Sequence, residues 1–208
     1  MRRFLQITGG VFVFAWMLAV VAAGCAHLST ATPVPSDTPS GFPSASPFPT
    51  ASPSPGACAT QAPNTTLVIA MAASITATPV PTYGTIDGYT TVTSGGFFGN
   101  VATLINAHAS DVVQFVNGET TGPATIFHSA AGFSGPTFPP VPYTFPSAVQ
   151  QQVGTRISSQ SWSTGRIAPS LTQFCFSQTL TLIVGKFYFG DLDYYNSSNM
   201  RDVIVVAP

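Results

Sequence analysis

The stretch that decides the reading of this chain is "KFYFGDLDYYNSSNMRDVIVV", residues 186–206. Two runs rich in aromatic and β-branched residues flank a short polar segment, and such runs form strands. Successive side chains of a strand alternate between its faces, so Phe187, Phe189 and Asp191 share one face. Beside two phenylalanines that face reads as inward, which brings a carboxylate into the core. Burying it alone costs several kcal/mol or forces it to stay protonated. Asp191 therefore needs a partner. The candidates are Tyr194, Tyr195, Met200, Arg201 and, from a distant loop, His128.

Outward from this stretch the chain continues in the same manner. "TLVIAMA" (66–72), "YTTVT" (89–93), "VATLI" (101–105), "DVVQFVN" (111–117) and "ATIFHS" (124–129) each predict a short strand. "FCFSQTLTLIV" (174–184), "KFYF" (186–189) and "DVIVV" (202–206) do the same. No helical period lasts longer than a turn or two. About eight strands with Gly- and Pro-rich loops predict an all-β sandwich or barrel over residues 57–208. Within 174–184, Phe174, Phe176, Leu180, Leu182 and Val184 are expected to face inward and Cys175 outward. His108 reads as a surface residue.

Residues 1–24 read as an export signal: two arginines, an apolar run, then small residues before Cys25. Ala22, Ala23 and Gly24 resemble a bacterial lipobox, which makes Cys25 the expected lipidation site; ordinary cleavage nearby is the alternative. The linker, 25–56, is dominated by a Pro/Ser/Thr tract that buries too little apolar surface to order itself and reads as a stalk. With Cys25 lipidated, Cys58 and Cys175 remain as an even pair in an oxidising compartment, for which a disulfide is the default reading. Past the signal, four basic groups face seven acidic ones, a net charge of −3. Without a basic patch, nucleic acid and anionic lipid surfaces are poor partners. The expected location is extracytoplasmic, in the cell envelope, with the membrane reached through the lipid anchor. Asn64-Thr65-Thr66 and Asn196-Ser197-Ser198 match the glycosylation acceptor pattern, which a bacterial signal discounts.

Three segments together resemble the cupredoxins, the plastocyanin and azurin type of blue copper protein. "INAHASDVVQFVN" (105–117) is similar to their "G-D-x-V-x-F-x-N" strand, and "ATIFHSAAGF" (124–133) to the loop giving the first histidine ligand. "FYFGDLDYYNSSNMRDVIVV" (187–206) is similar to the closing loop "Y-x-F-x-C-x-x-H-x-x-x-x-x-M-x-G-x-I-x-V". The resemblance spans roughly residues 100–208 and implies a Greek-key β-sandwich. It places His128 at the first histidine and Met200 at the axial methionine. Asp191 stands where the family has its cysteine, and Tyr194 where it has its second histidine. A blue site needs two imidazoles and a thiolate, so the loop keeps the shape of a copper loop with altered chemistry.

Three functions compete on these residues. The first is a cell-surface binding or structural module on a cupredoxin-like fold, with no resident cofactor. The second is a redox or metal protein with a harder, non-blue site built from His128, Asp191 and Tyr194, able to hold copper(II), zinc or iron(III), Met200 being distant or unused. Electron transfer through such a site would be poorly tuned without the thiolate. The third is a hydrolase, ranked last: there is no G-x-S-x-G elbow, no H-E-x-x-H, and one Glu in the whole chain. No enzymatic activity is expected.

Overall fold

The computed structural model describes residues 58–93, 99–119, 126–169 and 173–208. The expected signal (1–24), the lipidation site Cys25 and the linker (25–56) lie outside them. Among the described residues no helix is long and apolar enough to cross a membrane.

The chain forms β1 (Leu67–Met71), β2 (Thr78–Val80), β3 (Gly84–Ile86), β4 (Tyr89–Thr91), β5 (Ile105–His108) and β6 (Val112–Asn117). There follow β7 (Ala131–Gly132), β8 (Gln152–Val153), β9 (Arg156–Ile157), β10 (Ser163–Thr164), β11 (Leu180–Leu182), β12 (Gly185–Gly190) and β13 (Arg201–Ala207). The one α-helix among the described residues is a single turn, α1 (Tyr195–Ser198), between β12 and β13. Two sheets hold most strands, in the orders β4-β1-β6-β11-β9 and β5-β13-β12-β7-β10-β8, with β2 and β3 paired separately. From β4 to β12 the chain crosses repeatedly between the two sheets. The pairs β1–β6 and β5–β13 run parallel, so their connections cannot be hairpins.

The two sheets share one core. Ile69, Met71, Val113, Phe115, Leu180 and Leu182 come from the first, and Ile105, Phe187, Phe189, Ile204 and Val206 from the second. Trp162 is buried between them, its ring 6.1 Å from Phe115 and 5.8 Å from Phe189. The outer face of the second sheet is also covered. There Tyr188 and Val203 pack with Phe133, Phe145 and Val149 of the arm that follows β7, and with Tyr195 of α1. Burial on both faces is why "KFYFG" and "DVIVV" read as continuous apolar runs instead of alternating ones.

Several expectations change. The strand expected at 101–105 lies instead at Ile105–His108, and "ATIFHS" contributes only an isolated bridge, His128 to Ile167. Residues 124 and 125 of that segment lie outside the described ones. In 174–184 the inward set holds only for Leu180 and Leu182, while Phe174 and Val184 are 43 % and 55 % exposed and Cys175 is buried. The cause is Ser177. Its hydroxyl accepts a hydrogen bond from Phe115 N at 2.9 Å and its own N–H donates to Phe115 O at 2.8 Å. Cys175 and Ser177 are buried before this point, Leu180 and Leu182 after it, so the inward parity slips by one residue, as at a β-bulge. The Cys58–Cys175 disulfide is formed, and the adjoining Ala59 and Phe176 exchange backbone hydrogen bonds of 3.1 and 3.0 Å.

Candidate functional site

Asp191 directly follows β12 and extends its alternation: Phe187, Phe189 and Asp191 all point into the core, and Asp191 is wholly buried. Its N–H donates to Met200 O at 3.1 Å, prolonging the β12–β13 ladder by one step. Four groups then converge on its carboxylate. Oδ1 accepts from Asp193 N (2.8 Å) and Tyr194 N (3.0 Å), which turns the chain into α1. Oδ2 accepts from Ser129 N at 2.8 Å and meets His128 Nδ1 at 3.2 Å.

His128 is held by its bridge to Ile167 (His128 N to Ile167 O 3.2 Å, Ile167 N to His128 O 2.7 Å) and is fully buried. Its second ring nitrogen, Nε2, lies 3.2 Å from Glu119 Oε1. Burial pulls the imidazole pKa down from its ordinary 6.5, but the Asp191 and Glu119 carboxylates outweigh that and leave it raised. Asn117, buried at the end of β6, donates from Nδ2 to Ile126 O and to Ile167 O, both at 3.0 Å, and so fixes the histidine segment beside Glu119. Tyr194 lays its ring 5.0 Å from the His128 ring; burial, then Asp191, Asp193 and Glu119, push its hydroxyl pKa up.

The closing loop is tied down on its outer side as well. Arg166 grips Asp193 with two hydrogen bonds of 2.7 Å, from Nε and Nη2. Asn196 pairs with the backbone of Tyr143, accepting from its N and donating to its O, each at 2.8 Å. The Tyr195 hydroxyl donates to Pro139 O. Met200 is buried in the main core with its side chain against Gly88.

Of the four residues expected at a metal, the structure therefore joins His128, Asp191 and Tyr194, and packs the Met200 side chain against a glycine. Sequence reasoning missed Glu119 and Ser129. The one signal for Glu119 was its being the sole glutamate of a chain with few charges. Asp202 was missed too. It is fully buried on the core side of β13, its Oδ2 has no partner among the described residues, and burial drives its pKa well above the usual carboxylate range.

These residues do not fit a blue copper centre. Such a centre takes one thiolate and two imidazoles, whereas Cys58 and Cys175 are joined in the disulfide. The other described imidazole, His108, is exposed and sits 3.9 Å from Asp111. His128 has both nitrogens on carboxylates, and Asp191 has N–H groups on both oxygens.

No protein-family model matches the chain, and no curated protein matches it. Among solved structures, two cupredoxins are found, the family that the sequence resembles. Reduced rusticyanin matches at 15% identity and TM-score 0.36, covering 68% of this chain and 77% of that one. Auracyanin B matches at 12% identity and TM-score 0.37, covering 76% of this chain and all of that one. Likeness this distant says nothing of the corner's chemistry, which rests on the contacts above.

Proposed function

We propose that this chain is an exported, lipid-anchored envelope protein whose cupredoxin-like sandwich serves as a binding or structural module, with no blue copper centre. The observation that carries the reading is the Asp191 carboxylate, which stands at the cysteine position of the loop with both oxygens committed to N–H donors. A side chain so engaged is a structural tie between two chain segments, 128–129 and 191–194, and electron transfer through a copper–thiolate bond has no atom to use. Copper(II) added to the purified protein is expected to give no intense thiolate-to-copper band; an intensely blue wild type would refute the reading. Cys25→Ser is expected to release the protein from membranes or to block its processing, and unchanged membrane fractionation would refute the anchor.

A second reading has one observation in its favour, the convergence of His128, Asp191 and Tyr194 in space. Copper(II) held there would be weakly coloured and lost in His128→Ala. Metal analysis of the protein purified from its own envelope separates the two readings.

A further inference from the structure

What closes the corner can be read from His128, an inference that rests on the reading above. Both ring nitrogens of this buried imidazole face carboxylate oxygens: Nδ1 lies 3.2 Å from Asp191 Oδ2 and Nε2 lies 3.2 Å from Glu119 Oε1. A neutral imidazole carries one N–H and one lone pair. A lone pair set against a carboxylate oxygen repels it, so two carboxylates on opposite nitrogens require two N–H groups. We infer that His128 stands in this corner as a doubly donating cation, and that Glu119 is the residue that seals its Nε2 against divalent transition metals.

The two carboxylates play unequal parts. Asp191 keeps three backbone N–H donors, from Ser129, Asp193 and Tyr194, whatever His128 does. Glu119 Oε1 has, besides the imidazole, the Ala73 N–H at 2.7 Å. The Glu119 side chain keeps 10 % exposure while those of His128 and Asp191 have none, so Glu119 is the outermost of the three. Asp193, which acts on the Tyr194 hydroxyl, is engaged by Arg166, whose charge also reaches Asp191, and Tyr194 packs its ring against the imidazole.

The arrangement matches one half of a metal-bound histidine. Such a histidine gives one nitrogen to the metal and donates from the other to a carboxylate. Here the Nδ1–Asp191 half is present, and the Glu119 carboxylate stands where an ion on Nε2 would be. A metal ion arriving from outside would have to displace the carboxylate and the Nε2 proton together.

The test uses the full chain carrying His27→Ala and His108→Ala, so that His128 is its sole imidazole. Nitrogen NMR of the ring at neutral pH is expected to show both nitrogens protonated. Copper(II) is expected to give an electron paramagnetic resonance spectrum without imidazole nitrogen coupling. Adding Glu119→Ala is expected to raise copper(II) affinity about tenfold or more, the loss of one charge-assisted hydrogen bond, and to bring in that coupling. Glu119→Gln, which keeps an acceptor without its charge, should fall between. If the parent binds copper through His128 as tightly as the Glu119→Ala variant does, or if that variant gains no affinity, the inference is overturned. In that event the absence of a blue band leaves the preceding reading standing, whereas a blue parent overturns that reading instead. Should Glu119→Ala not fold, the parent's NMR decides alone, since a singly protonated ring refutes the inference.

Discussion

Replacing Asp191 by asparagine keeps the shape of the side chain and one of its two oxygens while removing the charge. The retained oxygen can still accept from Asp193 N and Tyr194 N, which preserves the turn into α1. The new amide then faces the Ser129 N–H and His128 Nδ1, so a buried backbone donor meets a donor and the imidazole loses an anionic partner. Hydrogen bonds to a charged group contribute about 1.5–3 kcal/mol each, and two are lost, so the expected destabilisation is about 3–6 kcal/mol. Against a domain stability of about 5–15 kcal/mol this is a large share. Equilibrium urea unfolding reads it through Trp162, the one tryptophan of residues 57–208, which is buried. The pH profile supplies a second reading. The raised pKa of His128 contributes stability that is complete below its ordinary 6.5 and is lost as pH rises through the folded-state value. Asp191→Asn should flatten that decline. A destabilisation under about 1 kcal/mol with an unchanged pH profile would refute the account of the corner.

Reducing the Cys58–Cys175 bridge, which spans 117 residues of sequence, should lower stability by about 4–5 kcal/mol on the chain-entropy estimate, measured by urea unfolding with and without reductant. Gly88→Ala places a methyl 2.6 Å from Met200 Cγ at a φ of +76°, and should cost about 2–4 kcal/mol in the same assay. Gly84→Ala is its control: φ is +88° there with nothing within 4 Å of the added carbon, so only the backbone cost of about 1–2 kcal/mol applies. Asp202 has a raised folded-state pKa, so its contribution is most favourable in acid and is lost as pH climbs above the ordinary carboxylate value. Thermal melts of Asp202→Asn should therefore gain on the parent from about pH 4 to about pH 7, and a constant difference would refute the burial of a neutral carboxyl.

The inward carboxylate at Asp191 was legible because β12 runs unbroken into it, so period-two alternation carried the phase from Phe187 without error. The same logic failed at Cys175, where the Ser177 side chain takes over a backbone role and shifts the phase; nothing in the sequence marks that slip. The strands β7 to β10 have two residues each, too few to show any period. They exist because their neighbours supply the pairing. Glu119 became visible only with its partners, since a hydrogen bond to His128 and another to Ala73 depend on how distant segments meet. The covering of the second sheet was hidden for a related reason. The arm after β7 lacks regular structure beyond the short turn of Ser147–Val149, and its apolar residues have no period to betray which face they would cover.

The pairing of Asn196 with Tyr143 has a consequence for motion. An asparagine amide offers the same donor and acceptor as a peptide group, so this side chain serves as a one-residue strand laid against the arm. With Tyr195 sharing an aromatic cluster with Phe133, Tyr143 and Phe145, the arm and the closing loop are coupled in both polar and apolar terms. They should open together or not at all. Hydrogen exchange would then treat the Tyr143 amide and those of α1 as members of one cooperative unit, even though more than fifty residues of chain separate them.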